Sequence, residues 1–439
     1  SIMSYKQMTG NLISATKLVP TANSSSAYGV ATGVWNLNDM YDYKRGGQWP
    51  IPAGVPGAPT ISGVTGGDAQ VAVAFNANAD NGGLTVSSFT ATASSGQTAS
   101  GSSSPLTVTS LTNGNAITFT VTATNASGTS SASSASSSVT PVTPPRGLIL
   151  GGGNTSALNI IEYITISSTG NATDFGNLTE TKKGVGAYSS KTRAVAHAGQ
   201  KEASPYYLNI IDYVTIASTG NATDFGDAMS IKAYGAGFSN IVRGYFAGGV
   251  DNGTAEAQIE QTTISSTGNA TNFGNLVGVR NNLGDAGCAT STRGIIFGGY
   301  EDGGSNAVNQ IQYISIGSSG NASDFGDMSA TSYSLMACSS GTRAVRAGGF
   351  AINNVMEYIT IANTGNTTDF GDLTAGRAIG GGTSSSTRGV FGGGQNDSNR
   401  LNIIDYITIA NTGNASDFGD LTATRIHCGM TSSDHGGVQ

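Results

Sequence analysis

A motif of eight residues recurs along the last two thirds of the chain, and it limits the possible folds more than any other feature. It reads GNATDFGN at 170, GNATDFGD at 220, GNATNFGN at 268, GNASDFGD at 320, GNTTDFGD at 365 and GNASDFGD at 413. The repeat length is about 49 residues, which is typical of repeat architectures. The Asp-Phe-Gly triplet that binds magnesium in kinases occurs once per enzyme, so six similar copies indicate a structural unit. The Asn-Ala-Thr triplet at Asn171 also matches an N-glycosylation signal, but that role would require a secreted eukaryotic protein.

Each repeat divides into four short strand-like segments. An arginine opens an apolar run that ends in a glycine pair, as in RGIIFGG, and a loop of varying length leads to an alternating segment such as NIIEYITI. The recurring motif and a Gly/Ser-rich run such as GVGAYSS follow. Four short strands in a period of this length are typical of propeller blades. The arginines are Arg146, Arg193, Arg243, Arg293, Arg343 and Arg388.

The phase of the repeats predicts how the ring closes. The repeats begin at residue 146 with the glycine-pair segment, and the final run RIHCGMTSSD aligns with GVGAYSS. We therefore expect the last strand to complete the first blade, because this removes two exposed sheet edges. The fold class predicted for residues 146–439 is all-β, with six propeller blades.

The recurring motif itself is expected to form a tight turn between two strands. Glycine supplies a positive φ and asparagine bonds its own backbone, the phenylalanine packs between blades, and the aspartates bond backbone amides beside the turn. A second interpretation is that paired aspartates hold calcium, although one pair supplies too few oxygens alone. The pairs are Asp224 with Asp227 and Asp324 with Asp327.

The repeats resemble kelch repeats in their glycine pair, in the tyrosine of the next strand, and in a large aromatic residue followed by leucine. Phenylalanine stands where kelch repeats have tryptophan, Gln261 replaces the tyrosine of the third repeat, and Ala198-Gly199 replaces the glycine pair of the second. The resemblance implies a kelch-like β-propeller and no particular activity. The tyrosines are Tyr163, Tyr213, Tyr313, Tyr358 and Tyr406.

Residues 56–142 alternate as half-buried antiparallel strands do. Val71, Val73 and Phe75 share one face of the segment QVAVAF. The stretch LTNGNAITFTVTATNASGTS resembles one end of a fibronectin type III module, with Ile117 in place of the usual tyrosine. This resemblance implies a small β-sandwich, in which a Ser-rich last strand precedes a stiff Pro-rich linker.

Residues 1–55 contain both tryptophans, Trp35 and Trp49, and are too few to bury a core of their own. Their stretch GVWNLNDMYDYKRGGQWP is similar to a segment of structural proteins of tailed phages, particularly those of cyanobacteria. The resemblance implies that this segment attaches the chain to other virion (tail) proteins and that the protein lies in the tail or on the particle surface. A fibre of this kind implies a homo-oligomer, and we expect a trimer.

Composition argues against several other functions. The formal net charge of −7 does not suit nucleic-acid binding, and no run of 18 apolar residues predicts a membrane span. The three cysteines lie far apart and are expected to be small buried thiols. The three histidines lack metal-ligand spacing. We therefore predict no enzymatic activity, no metal and no cofactor.

The loops between the second and third strands of the repeats vary in length and chemistry, whereas the motif turns are nearly identical. Binding residues gather on loops carried by a rigid scaffold. Tyrosine rings can stack on sugar C–H faces while carboxylates accept hydrogen bonds from hydroxyls, so these loops predict a glycan-binding face; the alternative is ordinary solvated loops. The candidate ligand-binding residues are Tyr206, Tyr207, Glu202, Asp251, Tyr300, Glu301 and Asp302.

These observations together predict an adhesive virion protein of a tailed phage, either a tail fibre or a tail-associated protein that recognises a host-surface glycan. The alternative is a bacterial surface or secreted carbohydrate-binding propeller. A propeller enzyme is a third interpretation. The kelch-type copper oxidases need several His and Tyr ligands, which three scattered histidines do not supply.

Overall fold

The computed structural model describes residues 53–301 and 306–438, and the chain divides into two compact units between Pro144 and Pro145. Strands are the dominant regular structure of the described part, so the all-β prediction is confirmed. Residues Trp35, Trp49 and Asp302, which the sequence singled out, lie outside the described residues.

The first unit consists of two sheets that share one apolar core. Its strands are β1 (Thr60–Gly67), β2 (Gln70–Asn76), β3 (Ser88–Ala93), β4 (Thr98–Gly101), β5 (Leu106–Val108), β6 (Phe119–Asn125) and β7 (Gly128–Thr129). The sheet orders are β1-β2-β5 and β4-β3-β6-β7. Val71, Val73 and Phe75 of β2 are buried in the core with Ile117, which confirms the predicted alternation.

The Ser-rich segment that follows β7 is not a regular strand, which corrects the sequence prediction. Its serines at every third position face alternate residues of β6. Ser130 faces Ala123, Ser133 faces Val121, and Ser136 faces Phe119. Each serine donates its backbone N–H to the facing carbonyl, and its Oγ accepts the facing N–H at 3.0 Å. Because the hydroxyl oxygen replaces a backbone acceptor, three residues of this segment can match two residues of β6.

The second unit contains the remaining strands. The first group is β8 (Arg146–Leu150), β9 (Ile160–Thr165), β10 (Thr173–Asn177), β11 (Gly186–Ser189), β12 (Arg193–Gln200), β13 (Tyr207–Thr215), β14 (Thr223–Ala233), β15 (Ala236–Ser239), β16 (Arg243–Ala247), β17 (Val250–Asp251), β18 (Thr254–Thr263) and β19 (Thr271–Arg280). The second group is β20 (Gly284–Asp285), β21 (Gly287–Ala289), β22 (Arg293–Phe297), β23 (Gln310–Ser315), β24 (Ser323–Asp327), β25 (Leu335–Ser339), β26 (Arg343–Ala347), β27 (Val355–Thr360), β28 (Thr368–Asp372), β29 (Gly381–Ser384), β30 (Arg388–Gly392), β31 (Ile403–Thr408), β32 (Ser416–Asp420) and β33 (Gly429–Ser432), before a 3-10 turn at Gly436–Val438.

In the described part of this unit, antiparallel pairing produces six four-stranded groups, which we call sheets 1 to 6. From the innermost strand outward, sheet 1 is β33-β8-β9-β10, sheet 2 is β11-β12-β13-β14, sheet 3 is β15-β16-β18-β19, sheet 4 is β21-β22-β23-β24, sheet 5 is β25-β26-β27-β28 and sheet 6 is β29-β30-β31-β32. The short strand β17 pairs with both β14 and β18 and so joins sheets 2 and 3, while β20 pairs in parallel with β25.

The innermost strands lie side by side in a cyclic, barrel-like order around a narrow channel. This order is β33, β11, β15, β21, β25, β29 and again β33. The C-terminal strand β33 pairs with β8, from Gly429 opposite Leu150 to Ser432 opposite Gly147. The two ends of the second unit are therefore hydrogen-bonded to each other, as the phase of the repeats predicts.

The arginine that opens each repeat fastens one sheet to the next. Arg146 Nη1 donates to the carbonyl of Ile216 in sheet 2 at 2.9 Å, and its guanidinium lies 4.9 Å from the ring centre of Tyr163. Sheet 3, which has Gln261 instead of the tyrosine, is the exception: Arg243 bonds Gln261. The same inter-sheet contact recurs for the other arginines with a stacked tyrosine: Arg193, Arg293, Arg343 and Arg388.

The asparagine of the recurring motif fastens the outer strands, which corrects the expectation that it bonds its own backbone. Asn366 Oδ1 accepts the backbone N–H of Asp327, in the preceding sheet, at 3.0 Å. All six turns make this contact, through Asn171, Asn221, Asn269, Asn321, Asn366 and Asn414. The phenylalanine of the motif is buried in each repeat, as predicted, for example Phe370.

We expect Asn366→Ala to lower the free energy of unfolding by about 1 kcal/mol, the net value of one hydrogen bond. Asn363→Ala is the matched control, because Asn363 lies in the same turn with an exposed side chain. Urea denaturation of both variants measures the difference. Equal stability of the two variants would show that the inter-sheet hydrogen bond contributes nothing.

Candidate binding rim

Six residues at equivalent positions, one before the innermost strand of each sheet, surround one end of the channel. Their backbones are all left-handed, with φ between 52° and 70°. Backbone hydrogen bonds of 2.7 to 3.2 Å link each position to the preceding one and close into a ring. In sheet 4, the N–H of Leu283 and the carbonyl of Asn282 make these bonds in place of Gly284. We call this ring the mouth. The six residues are Gly184, Tyr234, Gly284, Ser334, Ile379 and His427.

Around the mouth, each sheet contributes one pair of residues that face each other across a short β-bridge, and we call these pairs the rim. One member of each pair precedes a mouth residue, and the other follows the glycine-pair segment. Because the backbone is equivalent in all six, differences among the side chains distinguish one sector from another. The pairs are Lys183–Gln200, Ala233–Val250, Asn281–Tyr300, Tyr333–Phe350, Ala378–Gln395 and Ile426–Gly153.

The candidate residues nearest sheet 2 lie at this rim, and their carboxylate already has a partner. Glu202 Oε1 lies 2.7 Å from Lys183 Nζ, and this hydrogen bond and charge lower the pKa of Glu202. Tyr206 is 57% exposed, whereas Tyr207 begins β13 and is half-buried. Asp251 lies in β17, half-buried, and not in a loop.

A second sector of the rim is aromatic. The ring centres of Tyr300 and Tyr333 are 4.0 Å apart, and Phe350 stacks on Tyr333 with a centre distance of 4.7 Å. Burial, followed by the hydrogen bond with Tyr300, raises the pKa of Tyr333 to about 12. Glu301 lies 3.1 Å from Arg280, so this carboxylate is also paired.

The candidate residues therefore fall into two groups with different neighbours. Tyr207 and Glu202 lie near Tyr234, and the Tyr300 ring packs at a tilt of 37° against Tyr333 of the following sheet. Sequence reasoning missed Tyr333, because it stands in a Gly/Ser-rich run that reads as an inner strand. An aromatic residue immediately before a mouth position was its only signal.

The channel below the mouth is crossed by a carboxylate. Asp285 of β20 accepts the backbone N–H groups of Gly382 and Met430, at 2.8 and 3.0 Å, from sheets 6 and 1. The carboxyl is buried, and this burial raises the pKa of Asp285 well above its usual value although the two hydrogen bonds oppose the rise. Burial likewise raises the pKa values of Cys288 and Cys428 to about 12, so both thiols are neutral near pH 7.

The opposite end of the channel is closed by serines and by the C-terminal turn. A serine hydroxyl of one sheet donates to the carbonyl of the preceding sheet, for example Ser239 Oγ to the Ser189 carbonyl at 2.7 Å. Ala289 occupies the equivalent position in sheet 4, and the turn at Gly436–Val438 contacts its strand. His435 Nε2 lies 3.2 Å from Ser239 Oγ. The other donating serines are Ser189, Ser339, Ser384 and Ser432.

A buried polar cluster has the residue types of a proton relay, but its side chains compensate one another's charge in the protein interior. His197 lies 3.2 Å from Glu260 and 3.1 Å from the Tyr188 hydroxyl, and Lys232 pairs with the same Glu260. All four side chains are buried. Burial lowers the pKa of His197, and despite burial the His197 and Lys232 contacts lower that of Glu260 to about 2. A substrate has no access to this cluster, so it compensates buried charge.

The chain matches no protein-family model and no curated protein. In the described residues, no group of three or more His, Cys, Asp or Glu side chains is arranged to hold a metal ion. The calcium interpretation of the aspartate pairs therefore gains no support. No helix within residues 53–301 and 306–438 is long and apolar enough to span a membrane.

Proposed function

We propose that this protein is an adhesive virion protein of a tailed phage, either a tail fibre or a tail-associated protein. Its second unit is a six-bladed, kelch-like β-propeller. The rim of this propeller binds a host-surface glycan. The first unit is a fibronectin type III-like spacer, and residues 1–55, with Trp35 and Trp49, attach the chain to other tail proteins. The protein acts as a homotrimer, since several weak sites on one fibre give avidity. Nucleic acid is not a partner.

The contrast between the rim and the rest of the second unit is the observation that carries this proposal. Arginine clamps, asparagine contacts and the mouth hydrogen bonds repeat from sheet to sheet with few changes. At the rim, the six equivalent pairs range from Ile426–Gly153 to the stacked Tyr333–Phe350. A uniform scaffold with one varied end is how binding residues are usually presented.

Aromatic rings and polar groups lie together at this end, as sugar binding requires. Tyr206 is 57% exposed, and the ladder of Tyr300, Tyr333 and Phe350 places two phenol hydroxyls side by side. The pairing of Glu202 with Lys183 and of Glu301 with Arg280 leaves carboxylate oxygens that can still accept from sugar hydroxyls.

We expect the double change Tyr206→Ala and Tyr207→Ala to weaken binding of the full chain to an array of bacterial surface glycans by roughly thirtyfold. Two ring contacts of about 1 kcal/mol each account for this loss. Val242→Ala is the control, because Val242 is 51% exposed at a hairpin tip between β15 and β16, away from the rim. A full chain that binds no glycan contradicts the proposal.

A bacterial surface or secreted carbohydrate-binding protein is the second candidate, since the same rim would serve it. The two candidates differ in attachment. A genome neighbourhood of tail genes, together with loss of particle assembly when residues 1–54 are deleted, favours the virion protein. Assembly that survives this deletion contradicts the attachment role.

A further inference from the structure

We propose that the outer strand of sheet 3, together with two residues of sheet 2, is the surface through which copies of this chain contact one another. This inference rests on the homo-oligomer of the proposed function and names the surface that forms it. We call this surface the lateral patch, and it consists of β19 with Met229 and Ile231 of β14. Because the six sheets share one plan, each position of the patch has equivalents in the other sheets.

Exposed apolar side chains of the second unit are concentrated on one side. In its described part, all six large apolar side chains that are exposed lie in or beside the strands of sheets 2 and 3. Three belong to the lateral patch, where Met229 is 46%, Ile231 36% and Val277 52% exposed. Met229 borders sheet 3, because its N–H donates to Glu260 of β18 at 3.1 Å. Such clustering marks a contact surface, whereas scattered single residues do not. The remaining three are Tyr206, Ile241 and Val242.

The position of Val277 is polar in four of the other five sheets. There, the residue can bond the next sheet, as Thr374 Oγ1 does when it donates to Asp405 at 2.6 Å. Val277 has no hydroxyl, and its backbone N–H alone reaches the next sheet, at Gln312 Oε1, 2.7 Å away. Valine therefore gives up a hydrogen bond and exposes an apolar side chain, which a contact with another protein would offset. The polar equivalents are Thr179, Ser329, Thr374 and Thr422.

Charge also separates sheet 3 from the other sheets. Among the six described outer strands, β19 is the one without a carboxylate. Asn272 and Asn275 are exposed at the two positions where every other sheet has at least one aspartate. Arg280, the charged residue of β19, is buried and already paired. The lateral patch is therefore neutral on a unit whose other outer strands are acidic.

The backbone edge of β19 is unprotected as well. This strand has 10 residues, whereas β10, β24, β28 and β32 have 5 each. Within the described residues it pairs with β18 alone, so its other edge is open. Short length and charged side chains are two ways in which proteins keep an edge strand from pairing with another chain. The long strand β14 carries Asp224 and Asp227, but β19 has neither form of protection.

A second copy of this chain is the partner that these features favour. A basic protein would bind the five acidic outer strands in preference to the neutral one. Another copy has the same formal net charge of −7 and is repelled by those strands, so it can approach closely only at the lateral patch. A symmetric homotrimer needs one such surface on every copy, because symmetry repeats each contact.

Sedimentation equilibrium of the full chain over a range of concentrations tests the lateral patch. Asn275→Asp introduces the aspartate that four other repeats have at this position, so the fold accommodates it. We expect this change to weaken self-association by roughly tenfold or more, because each copy then brings a carboxylate to the contact. Asn177→Asp in β10 is the matched control, since it is the same change at the same position of sheet 1. It should leave self-association unchanged.

Val277→Thr tests the apolar part of the lateral patch. The change makes this segment FGNLT, as in the first repeat, and it should weaken self-association by roughly fivefold through loss of a buried methyl group. Salt distinguishes the two variants. Raised salt screens the repulsion in Asn275→Asp and restores its self-association, whereas it does not restore that of Val277→Thr.

Two outcomes contradict the inference, and they differ in what they leave standing. If the full chain associates and Asn275→Asp behaves like Asn177→Asp, the copies meet at another surface, and the proposed function stands without the lateral patch. If the full chain is monomeric at every concentration, the lateral patch and the homotrimer both fail. Binding to the glycan array then still reports on the rim.

Discussion

Deletion of residues 427–439 abolishes the cooperative thermal unfolding of the second unit. The deletion removes β33, which pairs with β8 and buries Cys428 and Met430 in the apolar core shared by sheets 1 and 6. It also removes the carbonyl of Ser432 that accepts from Ser189, and the N–H of Met430 that bonds Asp285. Losing a buried methionine side chain alone costs about 2–5 kcal/mol, and the free edge of β8 adds to this. Calorimetry of the full and shortened chains measures the effect.

A shorter deletion of residues 436–439 provides the control. It removes the C-terminal turn but keeps β33 and its hydrogen bonds to β8. We expect this variant to unfold cooperatively at a modestly lower temperature. A shortened chain lacking residues 427–439 that melts like the full chain would show that closure of the ring does not stabilise it.

The sequence was sufficient to predict the elements that depend on local pattern. The repeat length predicted recurring groups of strands, and the position of the last run predicted that β33 joins β8. Buried alternation, as in Val71 and Val73, was equally visible. These features follow from period and phase, which a single chain displays directly.

The partners of the polar residues could not be read in the same way. Arg146 bonds the carbonyl of Ile216, 70 residues away, and only the closed order of the sheets brings them together. The candidate acids were predicted as free ligands, but Lys183 already binds Glu202. Sequence reasoning had no measure of such distances, so it named residue types at the rim and missed their pairing.

The partners of buried charged residues could not be predicted from the sequence either. Arg377 pairs with Asp405 at 2.7 Å, with both side chains buried, and Lys182 pairs with Asp212 in the equivalent place. Sheet 5 has no basic residue at the position of Arg377 and Lys182. The carboxylate of Glu357 pairs instead with Arg346 of β26, with 2.6 Å between Nη2 and Oε2. An uncompensated buried charge is costly, so a change at one position has to be matched at another that is distant in sequence.

Asp285→Asn increases the stability of the protein, and the increase grows with pH. The folded-state pKa of Asp285 is raised well above its usual value by burial. The contribution of Asp285 to stability is therefore greatest below about pH 4, where its carboxyl is protonated in both states, and falls as the pH rises toward the folded-state pKa. The loss is about 1.4 kcal/mol for each pH unit in this window. Asparagine retains the acceptor for Gly382 and Met430 and has no charge to bury.

Urea denaturation of both proteins between pH 4 and pH 8 tests this, with the difference in unfolding free energy as the readout. The three histidines have lowered pKa values and destabilise the protein as the pH falls, but they do so in both proteins and cancel in the difference. Asp397→Asn, in an exposed loop, is the control that makes the same chemical change outside the protein interior. A pH-independent difference for Asp285→Asn would mean that Asp285 ionises in the folded protein as easily as in the unfolded chain. Its hydrogen bonds to sheets 6 and 1 would then fully offset the effect of its burial in the channel.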